Sequence, residues 1–303
     1  MIYTITGATS FLGVELTQAL LSQGHQVIAV CREGSHGLAN LPANVQIVYA
    51  QIQEYGLLPS KIGHANVFIH LAWEGTGHGG REDVEVHNRN VIYTKEAMQA
   101  AAQMGCRLFV FAGSQAEYGV TNEPQQEGMA CAPFSEYGKA KLRVWEECGE
   151  MAKDLGLKYI HLRIFSLFGE NDHPWTLVMS CVDKMLRNEP MDLSPCTQNW
   201  NFLYSQDAVV QIAQLCAYAM RKADFQQEIY QIASNDTRPL REFVERIREL
   251  THSQSVLHYG AVQPTHLVSL QPDMTKLDTA IGEPITRFAF DEVINLIINK
   301  HHD

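Results

Sequence analysis

The sequence has no apolar run approaching the ~18 residues of a membrane-spanning helix, and it has no Cys-x-x-Cys pair. Its seven cysteines, Cys31, Cys106, Cys131, Cys148, Cys181, Cys196 and Cys216, are odd in number and widely spaced. They outline neither a disulfide framework nor a zinc site, and they read as reduced, mostly buried thiols. Positive charge is also short. A net charge of −11, with no basic stripe to offset it, excludes general nucleic-acid binding. A small anionic ligand is not excluded, because a helix N-terminus and a few local Arg or Lys residues hold phosphate even in an acidic protein. The first residues, Met1-Ile2-Tyr3-Thr4-Ile5, have no basic start and no signal-peptide pattern, so a cytoplasmic, non-membrane protein is expected. Internal repeats, low-complexity tracts and long linkers are missing as well.

What is present is an ordinary globular composition, 46% hydrophobic and 19% charged, over 303 residues. That length buries a sizeable core as one large α/β unit or two lobes. β-rich runs at 3–6, 26–31, 46–49, 67–71, 108–112 and 159–164 alternate with helical patterns at 11–23, 83–104 and 136–154. Several of the β-rich runs are continuously apolar, as strands covered on both faces are. Strand, helix, strand in regular order predicts an α/β fold with a doubly wound parallel sheet. The second half is less regular. Helical patterns near 177–187, 207–220, 239–250 and 290–299 are separated by Pro- and Gly-marked loops, with one short strand at 229–232.

The first strand ends in Thr6-Gly7-Ala8-Thr9-Ser10-Phe11-Leu12-Gly13, and a helical pattern follows. Gly7 and Gly13 stand where a strand-turn-helix needs tight curvature and close backbone approach, with the helix N-terminus facing a cofactor pyrophosphate. The second strand ends in Val30-Cys31-Arg32-Glu33-Gly34-Ser35. In dinucleotide folds an acidic residue at such a strand end holds the adenosine ribose hydroxyls, whereas an arginine suits a 2′-phosphate. Arg32, helped by Ser35, therefore favours NADP(H), with NAD(H) the alternative. A solvated surface arginine is the competing reading.

Ser135-Glu136-Tyr137-Gly138-Lys139-Ala140-Lys141 opens a long helical run. Tyr137 and Lys141 are four apart and share a helix face. A lysine cation near a tyrosine lowers the phenol pKa, so the phenol can give or take a proton near neutral pH. Chance often produces this spacing. The fifth strand, however, ends in Phe109-Val110-Phe111-Ala112-Gly113-Ser114, which puts a serine at the sheet edge where ligands bind. Ser114 there is placed to polarise a substrate oxygen.

In this order, the motifs resemble the extended short-chain dehydrogenase/reductase family, in its NAD-dependent epimerase/dehydratase or sugar-nucleotide branch. The turn resembles Thr-Gly-x-x-Gly-x-x-Gly, with Ser10 in place of the middle glycine. Ser114, Tyr137 and Lys141 match the catalytic triad. His70-Leu71-Ala72, Asn90 and the segment from Leu162 to Gly169 resemble further family motifs. So do Asn201-Phe202-Leu203-Tyr204-Ser205-Gln206-Asp207 and Asp273-Met274-Thr275-Lys276. The resemblance implies a Rossmann dinucleotide-binding domain over 1–168. It implies a smaller C-terminal α/β lobe over 169–303, mainly substrate-binding, with some segments returning to the first domain. It implies cofactor contacts from Gly7, Thr9, Ser10, Phe11, Leu12, Gly13, Arg32, Ser35, Gln51, Ile52, Leu71, Ala72, Trp73, Asn90, Ala112, Tyr137, Lys141 and Ile164. The helical runs 83–104 and 136–154 resemble the two that relatives pair across a dimer axis, so a homodimer is expected.

The branch includes 4-epimerases, 4,6-dehydratases, 4-ketoreductases and a few decarboxylases. Its 4,6-dehydratases carry Asp-Glu just after the Ser/Thr as acid and base, where this chain has Gln115 and Ala116. The run Gly113-Ser114-Gln115-Ala116-Glu117-Tyr118-Gly119 looks closer to the 4-keto-6-deoxy sugar-nucleotide reductases. The whole chain resembles the synthases of CDP-linked deoxyhexoses, of abequose and paratose type. The reading is NADPH-dependent reduction of the C4 keto group of a nucleotide-diphosphate sugar. A 4-epimerase with retained NAD is the main alternative, followed by an NDP-hexosamine 5,6-dehydratase and a non-catalytic nucleotide sensor.

On the substrate side, Trp73-Glu74-Gly75 follows the fourth strand and His173-Pro174-Trp175 follows the sixth. With Ser114, Gln115, Ala116, Ser166 and Arg238 they make up the expected substrate contacts, packed loop aromatics being the competing reading for Trp73 and Trp175. Ser166 stands where the family often has an asparagine. Trp200 replaces the family's arginine before Asn201-Phe202, which leaves Arg238 or Lys184 to supply charge for a diphosphate, a solvated helix-face residue being the equal alternative for each. His64, His70, His78 and His87 have no ligand spacing on one element, so no metal is expected.

Overall fold

The structure, a computed structural model, describes residues 1–77, 79–282 and 286–302. Strands β1 (Ile2–Thr6), β2 (Gln26–Cys31), β3 (Gln46–Tyr49), β4 (Val67–His70), β5 (Leu108–Ser114) and β6 (Lys158–Ile164) form most of the central sheet. After β6 the chain makes β7 (Ser166–Phe168), β8 (Met191–Leu193) and β9 (Asn199–Tyr204). It then adds β10 (Gln227–Ile232), β11 (Thr237–Pro239) and β12 (Leu257–Tyr259). The seven-stranded sheet runs β10-β6-β5-β4-β1-β2-β3, with every neighbouring pair parallel. β4 and β5 are buried at every position, which explains their unbroken apolar character.

The helices are α1 (Phe11–Ser22), α2 (Leu58–Ile62), α3 (Val84–Gln103), α4 (Glu136–Asp154) and α5 (Leu177–Leu186). The rest are α6 (Ser205–Arg221), α7 (Leu240–Leu250), α8 (Thr275–Ile281) and α9 (Phe290–His302). One core joins the sheet to α1 and α6 through Leu16, Leu20, Ile212 and Leu215. A second joins it to α3 and α4 through Val91, Met98, Val144 and Cys148. α3 and α4, from the consecutive crossovers β4 to β5 and β5 to β6, share one core, while α1, from the oppositely directed β1 to β2 crossover, packs in the other, as right-handed βαβ connections require. A third core in the second half gathers Phe168, Phe202, Phe243 and Phe290 between α5, α7, α9 and a three-stranded sheet of β11, β9 and β7. β10 returns from that half to the edge of the main sheet beside β6.

β5 extends two residues beyond the apolar run that predicts it and ends on Ser114. Between β1 and β4 the connections turn in opposite directions, β1 leading to β2 and β4 to β5. A crevice at the carboxyl ends of the strands follows from that switch. Among the described residues no helix is long and apolar enough to cross a membrane.

Candidate active site

Ser10 stays extended and its side chain accepts a hydrogen bond from the Gly13 amide at 3.1 Å, which starts α1. Gly7 has φ +69°, and a Cβ there would stand 2.8 Å from the Ala72 amide nitrogen. The turns after β1 and β4 therefore touch, and a side chain at Gly7 would push them apart. Gly13 packs against the Gly7 carbonyl in the same way. The Thr9 and Ser35 hydroxyls bond at 2.8 Å and tie this turn to the segment after β2.

Around the crevice lies a cleft of about 1320 Å³. Gly7, Thr9, Ser10 and Phe11 line it from the first turn, Arg32 and Ser35 from the end of β2, and Gln51 and Ile52 from beyond β3. Leu71, Ala72 and Trp73 close it after β4. A bare glycine turn under a helix N-terminus suits a pyrophosphate. Arg32 is exposed at the rim. The donor set and the cradle fit a nicotinamide dinucleotide.

The side chains expected to be catalytic stand on α4 and at the end of β5. Ser135 caps α4 by accepting from the Gly138 amide at 3.1 Å. A Cβ on Gly138 would lie 2.5 Å from the Ala116 carbonyl oxygen, so the first turn of α4 rests directly on the turn after β5. That approach brings Tyr137 to Ser114. Burial raises the Tyr137 phenol pKa, while a hydrogen bond with Ser114 and the Arg81 cation pull it back only in part. Lys141 is 3% exposed, and its Nζ donates to the Ala112 carbonyl at 2.5 Å. Nζ also lies 3.8 Å from the centre of the Trp73 ring and 4.5 Å from that of Phe111. Burial pushes the ammonium down to about 7, against the opposing pull of Glu117.

One expectation is corrected. The Lys141 cation does not lower the Tyr137 phenol pKa. It is turned to the Ala112 carbonyl and two aromatic faces, 5.6 Å from the Tyr137 ring centre, whereas Arg81 is at 4.4 Å. Removing the phenol from water outweighs both.

The structure gathers some expected substrate residues and disperses others. Glu74 and His173 line the cleft. Trp175 stacks on His173 with ring centres 4.4 Å apart and is 73% exposed. Gln115 and Ala116 form a single turn capped by Ser114, whose Oγ accepts from the Ala116 amide at 3.1 Å. Asn90 grips the loop after β4. Its side chain accepts from the Glu74 amide at 3.1 Å and donates to the Glu74 carbonyl at 2.9 Å. Ala112 takes part through its carbonyl alone. Leu12 and Ile164 pack on the main core, and Ser166 sits half-buried on β7 in register with Phe202. Arg238 is not among the residues lining the cleft: it pairs with Asp236 at 3.0 Å and stacks on Phe243 at 4.2 Å. Lys184 lies on α5, outside the cleft.

The later motifs also resolve into structure. Asn201 donates to the Ser234 carbonyl and the Thr237 hydroxyl, each at 2.9 Å. Asp207 pairs with Arg287 at 2.9 Å. Asp273 accepts from the Thr275 hydroxyl at 2.6 Å, and Lys276 pairs with Glu228 at 2.6 Å. His70 lies between the hydroxyls of Thr6 and Thr94, and burial drops its pKa to about 3. His64 meets the Met104 carbonyl. His78 lies outside the described residues. Among those described, no group of three or more His, Cys, Asp or Glu is placed to hold a metal ion.

Arg81 near the site escapes motif reading, while His87 was weighed only as a metal ligand and Glu117 only as part of the run from Gly113 to Gly119. Arg81 covers the Tyr137 ring. His87 accepts from Trp73 Nε1 at 3.2 Å and stacks on that indole. Glu117 is fully buried behind Ser114. Arg81 precedes the α3 cap Asp83 in a loop of no regular pattern, and nothing in the sequence marks its direction.

Residues 3–233 match the model of the NAD dependent epimerase/dehydratase family. The chain belongs to that family. It is thus an enzyme of the extended short-chain dehydrogenase/reductase type, in the sugar-nucleotide group. This family member is 23% identical over 263 residues to CDP-abequose synthase of Salmonella muenchen, covering 85% of this chain and 83% of that one. It is 25% identical over 251 residues to dTDP-6-deoxy-L-talose 4-dehydrogenase (NAD(+)) of Aggregatibacter actinomycetemcomitans, covering 80% and 87%. In fold it matches MoeE5 in complex with UDP-glucuronic acid and NAD at a TM-score of 0.84 and 22% identity. That match spans 100% of this chain and 99% of the other.

Proposed function

We propose that the chain reduces the C4 keto group of a 4-keto-6-deoxy nucleotide-diphosphate sugar, with NADPH as reductant. The observation that carries this is the placing of Tyr137 against Ser114 at the carboxyl end of β5, where the phenol is buried. A phenol raised by burial keeps its proton at neutral pH and is poised to donate it rather than to accept one. The dinucleotide, bound in the cleft, supplies the hydride. Tyr137 gives its phenolic proton to the C4 oxygen as negative charge develops there. Ser114 hydrogen-bonds the same oxygen and fixes the carbonyl. Lys141, held in place by the Ala112 carbonyl, stabilises that charge in its cationic form.

Three further points support the reading. Gln115 and Ala116 hold no acid or base, so elimination of water has no proton carrier there. Arg32 is exposed at the rim of the cleft, where a 2′-phosphate partner is placed. Two relatives are named for deoxysugar chemistry, one of them at C4. Glu33, next to Arg32 and also lining the cleft, keeps NAD(H) as the second cofactor reading.

The test is cofactor handling. Purified protein free of bound dinucleotide, oxidising NADPH in proportion to ketone added, supports the reductase. Tightly retained NAD, with interconversion of two sugars and no net oxidation, replaces it with a 4-epimerase. We also propose a homodimer through α3 and α4, which lie side by side with Lys95 paired to Glu147 at 2.8 Å across them. A monomeric mass by light scattering would refute that assembly.

A further inference from the structure

Behind Ser114 lies a buried ion cluster with no role in the proton transfer above. Glu117 and His161 are 0% exposed and Arg163 is 2% exposed. Glu117 Oε1 accepts from the Ser114 backbone amide at 2.8 Å and from His161 Nε2 at 2.9 Å. Its Oε2 accepts from Arg163 Nε at 2.9 Å. His161 Nδ1 meets the Tyr159 hydroxyl at 2.9 Å, and Arg163 donates to the Glu127 carbonyl at 3.0 Å. A buried cluster of this kind is often no more stable than apolar side chains of the same volume. Fold stability alone therefore gives weak reason for it.

Its placement gives a stronger one. Along β5 three consecutive residues are used in turn. The Ala112 carbonyl holds Lys141, and the Ser114 amide is held by Glu117. Gly113 between them has no room for a side chain. A Cβ there would stand 2.6 Å from Glu117 Oε1 and would strike His161 Nε2. His161 packs edge-on against Trp145 of α4, on the face of the sheet that carries Lys141.

We propose that Glu117 is a positioning residue for the reaction: it pins Ser114 at the end of β5 and sets a fixed negative charge behind Lys141, with His161 and Arg163 as its counter-groups. Burial alone would raise the Glu117 carboxyl, yet His161, Arg163 and the Ser114 amide hold it below its ordinary range, so it is ionised at neutral pH. Burial drives Lys141 towards its neutral form, and Glu117 is the largest influence opposing this. The charged and titratable groups facing Glu117 are His161, Arg163 and Tyr159 from β6, Lys141 and Tyr137 from α4, and Cys131 from the loop between. The role rests on Ser114, Tyr137 and Lys141 being the reacting groups, and it is independent of which sugar is turned over.

The experiment uses whichever nucleotide sugar the wild-type enzyme converts, so a wrong substrate assignment does not disturb it. Glu117→Gln keeps the shape and removes the charge. Its kcat is expected to fall about 10–100-fold, the scale of a small misplacement at a reacting centre. KM for the sugar should stay as in the wild type, and the alkaline fall in kcat should begin at lower pH because Lys141 loses its proton more easily. If that variant does not fold, the triple variant Glu117→Leu, His161→Leu, Arg163→Met replaces the cluster with apolar groups and is assayed alike. Either variant, folded and showing wild-type kcat and an unmoved pH profile, overturns the proposal. So does a rise in KM at constant kcat.

Discussion

Lys141 is held as a buried ammonium by one carbonyl and two aromatic faces. Its pKa falls from 10.5 to about 7 through burial. Between those two pH values the unfolded chain binds the extra proton, so Lys141 makes stability rise with pH there, and its penalty is complete below about 7. Lys141→Met removes that penalty. Its Tm should match or exceed the wild type at pH 7, with the difference shrinking towards pH 10, while turnover is abolished. Parallel melts at several pH values check this, and a variant destabilised most at low pH would contradict it. Tyr137→Phe should lower turnover by about 10²–10⁴-fold, the usual worth of a positioned proton donor, with sugar binding intact. Steady-state kinetics beside a binding isotherm separate the two. Arg32→Glu should weaken NADPH relative to NADH by about 10–100-fold, the worth of one charge-assisted contact. Equal use of both cofactors by the wild type would remove Arg32 from any specificity role.

At the scale of elements, the site depends on how closely α4 lies on the turn after β5. Gly138 permits that contact, with Pro133 also within 3.0 Å of where its Cβ would be. Gly138→Ala should destabilise the fold by about 1–3 kcal/mol through overpacking. It should lower kcat more than KM, because it separates Tyr137 from Ser114. Melting and kinetics on the one variant read both effects. The strands and long helices were legible in the sequence because their apolar runs and helical patterns are local signals. β4 and β5 announce themselves by continuous apolar runs, and α1, α3 and α4 by the helical patterns at 11–23, 83–104 and 136–154, whose starts the structure shows capped by Ser10, Asp83 and Ser135. Ser114, Tyr137 and Lys141 were legible by spacing and order. The ionisation of the pair was not, because it depends on burial and on Arg81, which reaches Tyr137 from a loop 56 positions earlier in the chain.

At the scale of the molecule, the parallel sheet fixes where chemistry can occur. Its carboxyl edge collects the glycine turn after β1, Arg32 after β2, Ser114 at the end of β5, and Tyr137 with Lys141 from α4. The second half supplies His173 and Trp175 to the same mouth. Its own core was poorly legible, since short strands such as β7, β8, β11 and β12 carry too few residues for a period to show. The surroundings of Arg238 were illegible for the same reason, its partners Asp236 and Phe243 being set by that packing. The central claim is reduction at C4 with Tyr137 as proton donor. It is tested most directly by incubating the enzyme with a 4-keto-6-deoxy nucleotide sugar and NADPH deuterated at the transferable position. The account predicts one deuterium at C4 of the product for each NADPH oxidised, formed about 10²–10⁴-fold more slowly with Tyr137→Phe. Product carrying no label at C4, or sugar interconversion without NADPH oxidation, would contradict it.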